Sequence, residues 1–137
     1  MLEFEGLNYW AIVIAWLVYV VVGAFWYSPA GFGKPWSTLS GVDIMKIPEK
    51  EATRIIISVA VSAAVQAFVL GLVIHSLAIT DVWVGIATAI AVWLGFVAAT
   101  SVGVTLYQRK SWKFWWLNNS YFLIVMIVAA LIFTAWK

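Results

Sequence analysis

The chain has 137 residues, of which 65% are hydrophobic and 10% are charged, and its formal net charge at pH 7 is +2. This composition lies far outside that of soluble domains, so we expect a single-domain membrane protein. The sequence has no cysteine, which excludes disulfides, thiolate metal sites and cysteine nucleophiles. So small an excess of positive charge does not suggest a nucleic-acid partner.

The first predicted span covers about residues 9–28. It is apolar over residues 9–27, with Asn8 as its N-cap, and Ser28-Pro29 disfavours any continuation of the helix. A helix of this length rises about 28 Å, which is enough to cross the hydrocarbon core of a bilayer. Over residues 30–47 glycines and prolines break any helical period, so we predict a loop that lies along the membrane interface.

The second predicted span covers about residues 52–79 and carries one polar seam. Ser58, Ser62 and Gln66 are four residues apart, so they share one helix face, with Gln66 near the middle of the span. An amide in hydrocarbon needs a partner, so we expect this face to point at another helix. Two interpretations stay open: an interhelical hydrogen bond, which we favour, and a polar pathway or a site for a head group or small solute.

His75 lies near the end of the second span and is the one histidine of the chain. It is either a pH-sensitive gate or weak metal ligand, or an interfacial residue bonded to water or to a neighbouring carbonyl oxygen. We favour the second interpretation, because a single imidazole makes a poor metal site.

The third predicted span, Val82–Tyr107, begins behind Asp81 as a helix cap and has a small residue at every fourth position of one stripe. The stripe consists of Ala87, Ala91, Gly95, Ala99 and Gly103. Small side chains let helix backbones approach closely in lipid. We predict that the stripe packs against another helix of the same chain rather than forming a homodimer face.

The fourth predicted span covers about residues 115–136 and follows an aromatic run that starts at Trp112. Asn118 and Asn119 lie one turn inside it. They either bind an ion and form the inner mouth of a polar path from Gln66, or they cap the helix start and tie a loop. We favour the structural role, which is common for asparagine near helix ends.

The cations predict the orientation of the chain. Seven of the eight Lys and Arg residues flank the first and third connections, and Lys137 alone belongs to the other side. By the positive-inside rule, both basic connections lie in the cytoplasm and both termini outside it. Cations and aromatic residues together predict an inner belt that binds lipid head groups. This belt consists of Trp26, Tyr27, Lys34, Trp36, Arg109, Lys110, Trp112, Trp115 and Trp116.

The sequence offers no catalytic constellation. GFGK at residues 31–34 lacks the spacing and the following hydroxyl residue of a phosphate loop, and no triad, zinc-protease helix or carboxylate pair is recognisable. The apolar stretches of the spans contain no Asp, Glu, Lys or Arg, the groups that proton-coupled transporters place there. We therefore expect no enzyme activity, no catalytic residue, no metal and no cofactor.

Three blocks of the sequence resemble one protein family. They are NYWAIVIAWLVYVVVGAFWYSPAGFGKPW at residues 8–36, WLGF at residues 93–96, and LYQRKSWKFWWLNNSYF at residues 106–122. In this order they are similar to the domain of unknown function 1761 family, which comprises small, mostly bacterial membrane proteins with about four spans. The resemblance implies a four-helix membrane fold and brings no activity, cofactor or catalytic residue.

Together these observations predict an all-α membrane protein whose residues 1–137 form one polytopic domain in a bacterial cytoplasmic membrane. Its four transmembrane helices form a bundle, with an interfacial loop between the first two. The expected role is non-enzymatic: a structural or lipid-binding bundle that self-associates or joins a larger membrane complex. The alternative is a small channel or transporter with a polar path along Ser58, Ser62 and Gln66.

Overall fold

A computed structural model describes residues 1–136 of the protein, and Lys137 lies outside the described residues. The described chain forms helices and no strand. The helices are α1 (Tyr9–Trp26), α2 (Gly33–Ser40), α3 (Glu49–Ser76), α4 (Val82–Tyr107) and α5 (Trp112–Ala135). All except α2 are long and apolar enough to cross a membrane. The predicted all-α fold with four membrane-span helices is therefore confirmed.

Capping side chains define where three of the four long helices begin. Asn8 Oδ1 accepts a first-turn N–H at 3.1 Å, and Asp81 Oδ1 accepts two, at 2.8 and 3.1 Å. The N-cap roles predicted for Asn8 and Asp81 are therefore confirmed. Ser111 caps α5 in the same way at 3.2 Å, so this helix begins at Trp112 and not at residue 115.

The long helices alternate in direction, and α1, α3 and α5 pack around one another. α5 also packs along α4, which barely touches α3. Small side chains line the packed faces, where close approach of helices replaces the hydrophobic drive that lipid cannot supply. The least exposed alanines are Ala11, Ala15, Ala67, Ala89, Ala129 and Ala130. α5 is thus the central helix, and α4 joins the bundle mainly through it.

The connection between α1 and α3 contains a helix that the sequence did not predict. The prediction of a loop without helix over residues 30–47 is wrong, because Gly33–Ser40 forms α2 and Ile44–Lys46 forms a 3-10 turn. Pro35 is the third residue of α2, where backbone N–H groups have no acceptor within the helix, so proline breaks no hydrogen bond there. Gly41 ends α2 in the left-handed conformation, with φ of 78°.

The small-residue stripe of α4 faces away from the bundle, so the prediction that it packs within the chain is wrong. A Cβ built on Gly95 or Gly103 would meet no atom of residues 1–136 within 4 Å. The exposed residues of the stripe are Ala87, Ala91, Gly95, Ala99 and Gly103. The face that packs on α5 is a different row, with Gly85, Ala89 and Trp93.

Two contacts explain why α4 presents this other row to α5. A Cβ on Gly85 would lie 2.5 Å from Thr134 Cγ2, so the two backbones approach as closely as glycine allows. Further along, the Trp93 indole N–H donates to the Asn119 carbonyl oxygen at 2.9 Å. The helix is π-helical over Trp93–Ala98, so the next buried residue, Ala98, follows Trp93 by five positions. A strict spacing of four therefore does not follow the buried face.

Gly85→Ala should destabilise the fold, because the added methyl group would displace Thr134, whose hydroxyl donates to the Ala130 carbonyl oxygen at 2.8 Å. Overpacking of this kind costs about 1–3 kcal/mol. The matched control is Gly103→Ala on the same helix, where alanine has open space and is the better helix former. Thermal unfolding in one detergent compares the two variants, and equal losses of stability would contradict the close approach at Gly85.

Candidate functional site

The chain folds back on the end of α1 in a tight capping turn. The Phe32 N–H donates to the Trp26 carbonyl oxygen at 2.6 Å. A Cβ on Gly31 would collide with the Phe25 carbonyl oxygen, and one on Gly33 would lie 2.5 Å from a carbonyl oxygen of the same turn. Because the obstructing atoms belong to the backbone, no side-chain rotation could relieve these contacts. The two glycines therefore let the turn close and place α2 against the end of the bundle.

Three consecutive residues of α5 accept hydrogen bonds from aromatic side chains at the end of α1 and on α4, and we call residues 117–119 the acceptor segment. The Trp26 indole N–H donates to the Leu117 carbonyl oxygen at 3.0 Å, and the Tyr27 hydroxyl donates to Asn118 Oδ1 at 3.0 Å. From α4 comes the bond of Trp93 to the next carbonyl oxygen. Such donors have no water to bond inside a bilayer. These bonds therefore fix α1 and α4 against α5.

Asn119 is buried, and both the nitrogen and the oxygen of its side-chain amide are hydrogen-bonded within the bundle. Its Nδ2 donates to the Trp115 carbonyl oxygen at 2.9 Å, and its Oδ1 accepts the Ser101 hydroxyl at 3.1 Å. Trp115 is buried as well, and its indole N–H donates to the Ala98 carbonyl oxygen at 3.2 Å. Trp115 was predicted to bind lipid head groups, but its side chain is buried and its indole donor is used within the protein. Asn118 and Asn119 tie α5 to its neighbours.

Aromatic side chains hold α2 against the bundle. Trp36 lies between Tyr27 and Phe114, with ring centroids 6.0 and 6.4 Å away. Trp26 packs on Phe32 at 4.5 Å. Trp26, Tyr27 and Trp36 were predicted to bind lipid head groups, but these half-buried side chains make contacts within the protein. Their rings join the capping turn and α2 to α5.

Lys110 fastens the other end of α2. Its Nζ donates to the Ser40 carbonyl oxygen at 2.6 Å, and Ser40 is the buried last residue of α2. A cation at this position satisfies a free carbonyl group and is favoured by the helix dipole. The ammonium group that was predicted to bind lipid is thus used within the protein. Arg109, its neighbour, turns the chain with φ of 62° and stays exposed.

The remaining belt residues are exposed at this end of the bundle, together with further cations. We call this surface the basic face. Its cationic and aromatic members are Lys34, Lys46, Lys50, Arg54, Arg109, Trp112, Lys113 and Trp116. The structure thus leaves Lys34, Arg109, Trp112 and Trp116 exposed, so that lipid binding by them stays a prediction, and it withdraws the other five belt residues to varying extents.

The basic face also has an apolar element that the sequence reasoning missed. Val42, Ile44 and Met45 lie around the 3-10 turn and are 44%, 36% and 80% exposed. They alternate with Asp43 and Lys46, outside any span. Apolar residues beside lysines in such a stretch are typical of a segment that inserts at a membrane surface, and this pattern could have identified them.

The polar seam of α3 makes no hydrogen bond to another helix of residues 1–136, so the described chain does not supply the helix that we expect it to face. Gln66 Nε2 donates to Ser62 Oγ on the same helix at 3.1 Å, and Ser58 and Ser62 are exposed. Within the described chain no hydrogen bond joins this seam to Asn118 or Asn119. The five polar residues of the predicted path therefore occupy two different settings, the outer surface of α3 and the interior around α5.

At the opposite end of the bundle the N-terminal segment is fastened to α3. His75 Nε2 lies 2.7 Å from the Glu5 carbonyl oxygen, and Ser76 Oγ accepts the Glu3 N–H at 2.7 Å. A carbonyl oxygen can only accept, so His75 Nε2 carries the hydrogen. The favoured interpretation of His75, a bond to a neighbouring carbonyl oxygen, is confirmed.

Comparison with known proteins identifies one relation. A family model described as a protein of unknown function (DUF1761) matches residues 10–134. The matched region includes the capping turn, the acceptor segment and the basic face. No curated protein and no solved structure matches the chain.

Trp93→Phe should destabilise the bundle by about 1 kcal/mol, because it removes the indole donor and leaves the Asn119 carbonyl oxygen without that bond. The matched control is Trp83→Phe on the same helix, since Trp83 is 77% exposed and makes no indole bond to residues 1–136. Unfolding by denaturing detergent measures both variants. A Trp93 variant as stable as the control would contradict the role of the acceptor segment.

Lys110→Met should loosen α2 without unfolding the four long helices, because it removes the ammonium bond to Ser40 and keeps the aliphatic stem. Charge-assisted hydrogen bonds contribute about 1.5–3 kcal/mol, so amide exchange in α2 should accelerate about tenfold or more. Hydrogen exchange by mass spectrometry measures the effect. The control is Lys113→Met, an exposed lysine, which should leave exchange in α2 unchanged.

Proposed function

Since the chain belongs to the DUF1761 family of proteins of unknown function, we propose a role from the geometry of the chain itself. It is a non-enzymatic membrane protein that binds anionic lipid at its basic face and self-associates, alone or within a larger complex. Its place is the cytoplasmic membrane of a bacterium, with the basic face at the cytoplasmic surface and both termini outside, as the distribution of cations favours.

The observation that carries lipid binding is the exposed apolar and cationic segment after α2. Met45 is 80% exposed and is followed directly by Lys46. An apolar side chain at a membrane surface inserts among the acyl chains, while a neighbouring ammonium group attracts lipid phosphate. The bond from Lys110 to Ser40 fastens α2, from which this segment continues, so the segment begins at a fixed point of the bundle.

A structural role fits the way in which the chain uses its interior polar groups. Asn118, Asn119 and Trp93 all form hydrogen bonds within the bundle. The bonds of Asn118 and Trp93 link α5 to the end of α1 and to α4, and the bond from Asn119 to Trp115 lies within α5. Polar groups that do face outward, on α3, would be satisfied by another helix in the membrane. This arrangement supports association more than chemistry on a bound substrate.

The test compares stability in nanodiscs of phosphatidylcholine alone with stability in nanodiscs that also contain phosphatidylglycerol. The wild-type protein should be more stable in the anionic discs. The double variant Lys34→Gln, Lys46→Gln should lose part of that gain, because a lysine near an anionic surface contributes about 1 kcal/mol. Both lysines are exposed on the basic face, so their replacement should not disturb the fold.

Lys50→Gln is the comparison within the basic face, because Lys50 lies between Glu49 and Glu51 in the first turn of α3, whose carboxylates offset its charge. It should retain most of the gain in anionic discs. Equal stability of the wild-type protein in both lipid compositions would contradict lipid binding at the basic face. If the Lys50 variant lost as much of the stability gain per charge removed as the double variant, the gain would reflect net charge and not the positions of Lys34 and Lys46.

A further inference from the structure

The polar seam of α3 differs from hydroxyl-bearing positions of the spans that bond within their own helix. Ser58 and Ser62 donate to no carbonyl oxygen of residues 1–136, and the Ser62 oxygen accepts from Gln66 at 3.1 Å. Elsewhere, three threonine hydroxyls of α4 and α5 each donate to the carbonyl oxygen four residues earlier, at 2.8 to 2.9 Å. These threonines are Thr88, Thr100 and Thr134. The seam therefore presents unused donors on the outer surface of the bundle.

Gln66 brings this polarity to the middle of the membrane. It follows Ile55, the first residue of the apolar stretch, by 11 positions, which corresponds to about 16 Å along a helix. That depth is near the centre of a hydrocarbon core of about 30 Å. Beyond its bond to Ser62, the amide has a second N–H and a carbonyl oxygen that the described chain leaves without a partner. Lipid tails cannot supply one.

The residues around Gln66 complete a face that suits a second helix. Ile55, Val59 and Val69 are 44%, 59% and 47% exposed. Together with Ser62 and Gln66 they recur at alternating intervals of three and four, which is the heptad spacing of two helices that pack along a common seam. A single polar amide at a position of such a seam fixes the register of the helices that pack there.

We propose that a second copy of this chain packs on this face of α3, related by a twofold axis along the membrane normal. The proposal rests on the self-association proposed above and names its interface. Both copies insert in the same orientation, so their α3 helices run parallel and the two Gln66 amides meet at the same depth. An amide both donates and accepts, so each glutamine can satisfy the other. The small side chain of Ser62 lets the backbones approach.

A second copy fits this face better than other occupants. Lipid head groups do not reach the middle of the bilayer, and acyl chains offer no hydrogen bond. In a symmetric pair, the second copy places its own Gln66 amide at the same depth, where it can bond to the first. The small-residue stripe of α4 is also exposed, but its residues Ala87, Ala91, Gly95, Ala99 and Gly103 carry no polar side chain that needs a partner.

Single-cysteine variants of the full chain test the interface cleanly, because the protein has no cysteine of its own. A disulfide forms only when the two Cα atoms approach within about 7 Å, so oxidation in nanodiscs that hold two copies reports close contact. Val59→Cys and Val69→Cys should form dimers at least about fivefold more readily than Val61→Cys and Val65→Cys. The control positions are valines of the same helix, 59% and 57% exposed, on another face.

Gln66→Leu should weaken self-association about tenfold, as expected for the loss of an interhelical amide contact. Fluorescence energy transfer between labelled copies, diluted with lipid, measures this. Gln66→Asn should retain more of the association than Gln66→Leu, because it keeps an amide. Unfolding measurements should show all three forms to be folded, since Gln66 is not in the packed interior.

Equal crosslinking at the seam and control valines would overturn the proposal. So would efficient crosslinking at Ala91→Cys with little at Val59→Cys, which would move the interface to α4 and leave self-association standing. Wild-type protein that stays monomeric at every dilution would contradict self-association as a whole. The lipid dependence of stability is measured separately and does not depend on any of these results.

Discussion

A polar group inside hydrocarbon has no water to bond, so each one has to find its partner in protein. In this bundle the constraint is met mainly on α5, whose acceptor segment accepts hydrogen bonds from Trp26 and Tyr27 at the end of α1 and from Trp93 on α4. Aromatic side chains serve here as both packing volume and hydrogen-bond donors. The three sequence blocks that resemble the family contribute one part each to this junction. Their joint presence therefore has a structural explanation that needs no catalytic or ligand-binding role.

The same junction determines what the protein shows to its surroundings. With α1 fixed on α5, the capping turn at Gly31 and Gly33 places α2 across the end of the bundle, and Lys110 fastens the far end of that helix. The chain that follows is left with exposed apolar side chains and lysines at the basic face. On α3, by contrast, the inward face is apolar and the polar seam points outward. Interior bonds hold the bundle together, and the outer surface is left for lipid and for other chains.

The sequence was sufficient for the spans, because length, hydropathy and capping residues such as Asn8 and Asp81 are local signals. It was insufficient to predict which face of each helix points into the bundle. The α4 stripe was read as inward because small residues favour close packing, but Gly85 and the Trp93 donor select a different row through contacts with α5. Gln66 was likewise expected to face another helix, which residues 1–136 do not provide. Both outcomes depend on partners distant in sequence, which periodicity does not encode. α2 was missed because Gly33 and Pro35 read as helix breakers, although both are tolerated in a first turn.

The central claim is that aromatic donors bonded to backbone and amide oxygens hold the bundle together, and exchange of indole hydrogens tests it most directly. In ¹H–¹⁵N spectra recorded after transfer to D₂O, the indole signals of Trp26, Trp93 and Trp115 should persist at least about a hundredfold longer than those of Trp112 and Trp116. All five lie in the half of the bundle nearest the basic face or at its surface, and the second pair is more than half exposed. Indole signals that all decay at the same rate would contradict the claim.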